Sequence, residues 1–145
     1  MIYFDTSFAL PLILREPTSS RIEQFLVSQQ GEALAISHWT RVEVSSALAR
    51  DVRMRQLAVA MARAAEEEFD DIVADTFTVL LPSAGDFELA RRYLQHHETG
   101  LRAGDALHLA IASNNRAESI YSFDNALLKA GRRLGLSVRT IATKT

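Results

Sequence analysis

Short runs of apolar and β-branched residues alternate along the chain with longer segments whose apolar residues recur every three or four positions. The first pattern is typical of buried strands and the second of helices with one apolar face. Strands are predicted at residues 2–4, 33–37, 77–81, 119–123 and 136–141.

Helices are predicted in the segments between these strands. Pro17 separates the first two helices, and Pro82 ends the third strand. Ser83 with Asp86 three residues later is typical of a helix start, because the two side chains cap free backbone N–H groups. The predicted helices are 7–15, 19–29, about 39–50, 83 to about 97, 106–113 and 126–134, with a long helix between the third and fourth of these on which Leu57, Met61, Ala65, Phe69 and Val73 recur every fourth residue.

This order of elements predicts the fold class. Strands that are separated by helices form βαβ units, and such units build a mainly parallel sheet with helices on both faces. We therefore expect a three-layer α/β/α sandwich. The chain has 145 residues, the size of one ordinary domain, and contains no linker or internal repeat, so a single domain over residues 1–145 is expected.

The composition excludes several functional classes. Because cysteine is absent, the chain forms no disulfide, thiolate zinc site or iron–sulfur cluster, and it has no cysteine nucleophile. The six glycines match neither the dinucleotide-binding fingerprint nor the P-loop. No apolar run approaches the about 18 residues of a membrane span, and the first residues show no basic leader. We expect a cytoplasmic protein with no membrane partner.

Four acidic residues are predicted to border one crevice. Asp5 and Asp124 directly follow predicted strands, and the functional crevice of an open α/β sheet lies beyond the carboxyl ends of its strands. Glu43 lies on the largely apolar side of its helix, and Asp105 opens another helix. Taken singly, the three aspartates would also suit helix caps or first-turn carboxylates, so their positions alone leave both roles open.

Clustered carboxylates would need a source of positive charge. Two of them about 4 Å apart repel by about 4 kcal/mol at an effective dielectric constant of about 20. No lysine lies within four residues of any of the four in the sequence. Oxygen ligands without histidine or cysteine suit Mg²⁺ or Mn²⁺ rather than zinc, and such ions commonly act on phosphate esters. The net charge of −2 argues mildly against a nucleic-acid partner, but bound cations would weaken that argument.

Four segments in this order resemble the PIN-domain ribonucleases and, within them, the VapC-type toxins of toxin–antitoxin pairs. The resemblance covers essentially the whole chain, although Ser122 replaces the threonine that many relatives carry. The segments are Asp5-Thr6-Ser7, Thr40-Arg41-Val42-Glu43-Val44, Gly104-Asp105-Ala106-Leu107-His108-Leu109-Ala110 and Ser122-Phe123-Asp124.

The resemblance implies an endoribonuclease that depends on Mg²⁺ or Mn²⁺ and hydrolyses RNA with a metal-activated water. It implies a homodimer that is inhibited by a small antitoxin protein, one segment of which fills the active-site groove. The catalytic metal ligands would be Asp5, Glu43, Asp105 and Asp124; Thr6, Ser7 and Ser122 would orient these carboxylates or contact the scissile phosphate, and Asn125 would add a supporting contact.

Arginines are the candidates for RNA contact, because a guanidinium group binds phosphate through two hydrogen bonds. Arg102 is nearest in sequence to an acidic candidate, and Arg116 is the second choice. His108 follows Asp105 by one helical turn, and we expect it to pack or to support a site residue. Trp39 could stack on a base, but a place in the core explains it more simply.

Two other functions remain open from the sequence. One is a catalytically silent PIN-like module that binds RNA or protein, and the other is a metal-dependent nuclease acting on DNA. A haloacid-dehalogenase-type phosphatase is disfavoured because Ser7 occupies the position of its second acid. A receiver domain is disfavoured because the chain lacks its late lysine after a strand.

Overall fold

A computed structural model describes residues 1–142, and the last three residues of the predicted domain lie outside the described residues. None of the described helices is both long enough and apolar enough to cross a membrane. In this part of the chain the elements are β1 (Ile2–Phe4), α1 (Thr6–Ala9), α2 (Ser19–Ser28), β2 (Leu34–Ser37), α3 (His38–Arg53), α4 (Val59–Thr76), β3 (Thr78–Leu80), α5 (Ala84–Leu94), α6 (Ala103–Asn114), β4 (Ser119–Tyr121), α7 (Asn125–Arg133) and β5 (Val138–Arg139).

The strands form one parallel sheet in the order β3-β2-β1-β4-β5. Along the chain, β2 and β3 are added on one side of β1, and β4 and β5 are then added on its other side, as in doubly wound α/β folds. The strand order therefore reverses next to β1, between β1 and β4. Because all strands are parallel, their carboxyl ends lie at one edge of the sheet. The segments after β1 and β4, which carry Asp5 and Asp124, are neighbours at this edge.

Two apolar layers enclose the sheet. Ile2 and Phe4 pack on one face with helices α1 to α4, whereas Tyr3 between them faces α5, α6 and α7. In β2, Leu34 and Ile36 face the first layer and Ala35 the second. This alternation is the period of two expected for strands that are covered on both sides. The three-layer α/β/α sandwich with a parallel central sheet is confirmed.

Several predicted boundaries were wrong. The fourth strand ends at Tyr121 rather than at residue 123, and α6 begins at Ala103 rather than at residue 106. The helix predicted at 7–15 is only α1 followed by a 3₁₀ turn at Leu10–Leu12, because Pro11 has no N–H group for an α-helical hydrogen bond. The helix predicted to reach about residue 97 ends at Leu94, before a 3₁₀ turn at His97–Thr99. The last strand shortens from 136–141 to Val138–Arg139, since this edge strand pairs only with β4.

Candidate active site

Asp5 is the most buried of the four acidic candidates, with 3% of its surface exposed. It caps the start of α1, where Oδ1 accepts hydrogen bonds from the Phe8 N–H at 3.2 Å and the Ser7 hydroxyl at 2.7 Å. Oδ2 accepts the Ser122 hydroxyl at 2.5 Å. Burial raises the pKa of Asp5, while the nearby His108 and these hydrogen bonds act in the opposite direction. Asp5 is therefore a helix cap and also a buried carboxylate at the carboxyl edge of the sheet.

Two serines connect Asp5 to the segment that carries Asp124. Ser7 donates its hydroxyl proton to Asp5 and accepts the Phe123 N–H at 2.8 Å. Ser122 donates to the other oxygen of Asp5 and accepts the Asp124 N–H at 2.9 Å. Because each hydroxyl can donate one proton and accept others, both serines are satisfied. The ends of β1 and β4 are thereby fixed relative to each other.

Asp105 and Asp124 share one cation, the guanidinium group of Arg102. Arg102 Nη2 lies 3.2 Å from Asp105 Oδ2 and 2.9 Å from Asp124 Oδ2. Asp124 caps α7 with its other oxygen, which accepts the N–H groups of Ala126 and Leu127. Burial and the charge of Asp124 raise the pKa of Asp105, and Arg102 only partly opposes them. The Arg102 side chain is 69% exposed, so this ion pair lies at the surface of the site.

Glu43 ends a chain of buried hydrogen bonds that crosses the second apolar layer. Its Oε1 lies 2.5 Å from His108 Nε2 and accepts the Thr6 hydroxyl at 2.6 Å. His108 Nδ1 lies 2.8 Å from the Tyr3 hydroxyl, which is 2.9 Å from the Ser37 hydroxyl. A proton on His108 Nε2 donates to Glu43, so His108 connects this carboxylate to the Tyr3 hydroxyl. Burial acts to raise the pKa of Glu43, but the hydrogen bonds and charge of His108, with Thr6 and Arg102, lower it overall.

Gly104 allows Glu43 to reach its position. A side chain at residue 104 would begin 3.0 Å from Glu43 Oε2 and 3.5 Å from the Trp39 ring. Within the described residues, the Trp39 indole nitrogen is the one buried side-chain polar atom without a hydrogen-bond partner. The close contact explains why glycine is suited to the first turn of α6.

All four acidic candidates line one pocket of about 330 Å³ at the carboxyl edge of the sheet. Thr6, Ser7 and Arg102 also line it, and Ser122 lies buried behind Asp5. The other two predicted residues are elsewhere. Asn125 lines a neighbouring groove, whereas Arg116 follows the far end of α6, about 18 Å from its start. The structure thus separates Arg116 from the acidic cluster.

The pocket has the donor atoms that a hard cation needs, although the side chains are not yet arranged to surround one. In residues 1–142, no three histidine or acidic side chains are grouped closely enough to hold a metal ion. Two contacts explain this: Glu43 turns toward Thr6 and His108, and Arg102 joins Asp105 to Asp124. The guanidinium group therefore occupies the position of a cation between two carboxylates. Oxygen donors around a stand-in cation fit Mg²⁺ or Mn²⁺.

Sequence reasoning missed the network behind Glu43. It expected His108 to pack or to support a site residue, expected Trp39 to lie in the core, and gave no role to Tyr3 or Ser37. One signal was present, since Tyr3 alternates with Ile2 and Phe4 and so must face the layer that contains α6. His108, one turn after Asp105, is on that helix. Because Tyr3 of β1 and His108 of α6 are polar residues on the two sides of this interface, they indicate a buried hydrogen bond.

Comparison with known proteins places this geometry in a family. The family model described as "PIN domain" matches residues 2–133. The chain belongs to the PIN domain family. No curated protein matches the sequence.

Solved structures with the same fold as this PIN domain are distant in sequence. The toxin VapC20 of Mycobacterium tuberculosis, described as Sarcin-Ricin loop cleaving, superposes with a TM-score of 0.72 at 21% identity, covering 90% of this chain and 95% of that chain. FitAcB from Neisseria gonorrhoeae gives 0.72 at 17% identity, covering 95% and 96%. VapBC2 from Rickettsia felis, bound to a DNA fragment from its promoter, gives 0.72 at 14% identity, covering 98% and 100%. At these identities the likeness shows the shared fold.

Proposed function

We propose that this PIN domain is a Mg²⁺- or Mn²⁺-dependent endoribonuclease and the toxin of a toxin–antitoxin pair. The observation that carries the proposal is the convergence of Asp5, Glu43, Asp105 and Asp124 on one pocket at the carboxyl edge of the sheet. Burial raises the pKa of Asp5, and burial together with the charge of Asp124 raises the pKa of Asp105, so the ionised forms of these carboxylates are only partly compensated in the pocket. A divalent cation would supply the missing positive charge.

The four acidic side chains would hold the metal. A bound Mg²⁺ or Mn²⁺ would supply an activated water and would neutralise negative charge on a phosphodiester. The chain's own residues prepare the site: Ser7 and Ser122 hold Asp5, and Thr6 and His108 hold Glu43. Arg102 carries five N–H donors on an exposed side chain, so it can exchange its carboxylate partners for a phosphate.

The proposed partners follow from the same family. VapC20 is described as a cleaving toxin, and RNA is the substrate that the sequence resemblance implies. VapBC2 is a two-component complex, which supports a small antitoxin as the partner of this chain. A homodimer in the cytoplasm completes the proposal. The asparagine at 125 and the arginine at 116 have weaker support, because neither lines the acidic pocket.

Cleavage of RNA by the purified protein tests the proposal. Single-stranded RNA and DNA of the same sequence would be incubated with Mg²⁺, with Mn²⁺ or with chelator, using wild-type protein and the Asp105→Asn variant. We expect RNA cleavage that requires the metal and is lost in the variant, which keeps the size and shape of the side chain. Cleavage of DNA alone would favour the DNA nuclease. Binding of RNA without cleavage would favour the silent module, and undiminished cleavage by Asp105→Asn would exclude this site.

A further inference from the structure

A groove continues from the acidic pocket along α3. Thr6, Leu10 and Glu43 line both the pocket and this extension, which has a volume of about 330 Å³. Beyond them the extension is lined by Ser46 and Ala47 and ends at Arg50 and Arg53. The groove therefore leads from the four carboxylates to two guanidinium groups without leaving the surface between α1 and α3.

The spacing along α3 places these residues on one side of the helix. Glu43, Ala47 and Arg50 follow each other at intervals of four and three residues, and Arg53 follows after three more. At about 1.5 Å per residue, Arg50 lies about 10 Å and Arg53 about 15 Å along the helix axis from Glu43. The two arginines are therefore too far away to help hold a metal at the carboxylates. They lie where they can contact the parts of a long substrate that extend beyond the reacting bond.

The charges of both arginines are available. Arg50 contacts only its neighbour Asp51, at 3.4 Å, and its side chain is 64% exposed. A surface ion pair of this kind contributes little and leaves other N–H donors free. Arg53 is exposed and forms no ion pair within residues 1–142. By contrast, Arg41, Arg91 and Arg102 are engaged by carboxylates at 2.7 to 3.2 Å.

A stabilising role at the helix end explains only part of this arrangement. Both arginines lie in the last turn of α3, where positive charge favours the helix dipole. That effect requires cations near the helix end but does not require them to line the groove that begins at Glu43. A nucleic-acid strand has a negative charge at every phosphate, and a cluster of carboxylates repels it unless cations lie along its path.

We propose that Arg50 and Arg53 form a binding site for backbone phosphates of the substrate strand, on the side of the acidic pocket that adjoins α3. This inference rests on the proposed function, since it names the path that the RNA takes. Arg102 binds at the carboxylates and the α3 arginines bind farther along the strand. Contacts to phosphates carry no sequence information, so this site contributes affinity and position without selecting bases.

The test is the salt dependence of RNA binding by the full chain. Binding of a fluorescently labelled polyuridine strand would be measured by anisotropy in chelator, over a series of KCl concentrations, for wild type, Arg50→Ala/Arg53→Ala and Arg50→Lys/Arg53→Lys. Each lost phosphate contact lowers the slope of log K against log salt by about 0.7 for a single strand. We expect the double alanine variant to lose about 1.4 in slope and roughly tenfold in affinity at low salt. The lysine variant should keep most of both.

A second double variant controls for net charge. Arg63→Ala/Arg92→Ala removes the same charge from exposed positions on α4 and α5 that line neither the pocket nor its extension. Equal losses in the two alanine variants, or an unchanged slope in Arg50→Ala/Arg53→Ala, would overturn the proposal. Mn²⁺ binding by titration calorimetry should match wild type in both variants, because neither removes a carboxylate. Thermal unfolding should show both variants folded, each with a small loss of stability because each removes positive charge from a helix end.

Cleavage kinetics separate this proposal from the proposed function. If the α3 site is correct, Arg50→Ala/Arg53→Ala raises KM with little change in kcat, whereas Asp105→Asn lowers kcat. If Asp105→Asn abolishes cleavage but the arginine variant binds and cleaves like wild type, the α3 site is wrong and the nuclease remains. If wild-type protein binds no RNA, the proposed function fails and the α3 site fails with it.

Discussion

The two halves of the acidic pocket are held in opposite ways. Asp5 and Glu43 are fixed from inside the protein, by Ser7 and Ser122 on one side and by Thr6 and His108 on the other. Asp105 and Asp124 are joined from outside, by the exposed guanidinium group of Arg102. Side chains of the fold orient the first pair. In the second pair Asp124 caps α7, but its pairing with Asp105 depends on a side chain that can leave.

This difference distinguishes two tasks in the pocket: orienting the carboxylates and compensating their negative charge. Hydroxyl groups and an imidazole orient a buried carboxylate through short hydrogen bonds in a medium of low dielectric constant, where each bond has a large effect. An exposed arginine supplies charge but little positional restraint, because solvent screens it. We therefore expect substitutions of Asp5 and His108 to change activity and folding together. Substitutions of Asp105 and Arg102 should change ligand binding with little effect on the fold.

The largest effect is expected at Asp5. Losing a residue that only supports a metal ligand costs about 10- to 100-fold in metal affinity or activity. Replacing a ligand itself should cost more than about 100-fold, so Asp5→Ala should abolish metal-dependent RNA cleavage. It should also destabilise the fold by about 1 kcal/mol or more, because α1 loses its cap. The measurements are cleavage rates and urea unfolding.

Asp5→Asn separates these two effects. Asparagine caps helices about as well as aspartate, so the variant should recover most of the stability but none of the activity. Equal loss of stability in both variants would show that the negative charge, rather than the cap, stabilises this half of the pocket.

His108 should give the next largest effect. Its ring is 1% exposed and connects Tyr3 to Glu43. In His108→Ala, Glu43 keeps its charge but loses its main orienting partner, so Mn²⁺ affinity should fall about 10- to 100-fold by titration calorimetry. His108→Gln retains an N–H donor and should recover part of that affinity. A variant whose unfolding changes but whose Mn²⁺ affinity does not would assign His108 to packing alone.

This comparison also shows which features were predictable from the sequence. Asp5 and Asp124 could be placed at the same edge because each follows a strand, and parallel strands end together. The contacts of His108 could not be predicted, because they depend on the distance between α3, α6 and β1. The truncation of α1 was predictable in principle, since Pro11 was visible, but an apolar run around it favoured a longer helix. The ion pairs of Arg102 depend on the position of α7 beside α6.

The melting temperature in the absence of metal, measured as a function of pH, tests whether the negative charge of Asp105 is only partly compensated. Folding raises the pKa of Asp5 and Asp105, so both carboxyls bind protons more readily in the folded chain than in the unfolded chain. Their contribution to stability is therefore present at pH values below the unfolded pKa and is lost as the pH rises through the folded pKa. In chelator, these two carboxyls should therefore lower the melting temperature as the pH rises, whereas Glu43, whose pKa is lowered, acts in the opposite direction.

Asp105→Asn removes one of these two groups. At neutral pH in chelator its melting temperature should exceed that of wild type by about 2 °C, and its dependence on pH should be weaker. Added Mg²⁺ should stabilise wild type and have a smaller effect on the variant, because a ligand that binds only the folded state stabilises it in proportion to its affinity. A lower melting temperature for the variant in chelator would show that the Arg102 ion pair outweighs the repulsion and burial of Asp105.

The smallest effect is expected at Arg102. Its removal should strengthen the binding of Mn²⁺ and weaken the binding of RNA. The guanidinium group contacts the same carboxylate oxygens that a metal would use, so metal and arginine compete for Asp105 and Asp124. Because an exposed ion pair is weak, Arg102→Ala should tighten Mn²⁺ binding by only about two- to fivefold in the absence of RNA. The same variant should raise KM for RNA, since a phosphate contact is lost. If Arg102→Ala instead weakens Mn²⁺ binding, the arginine orders the two carboxylates for the metal, and Asp105 and Asp124 are positioned by the protein just as Asp5 and Glu43 are.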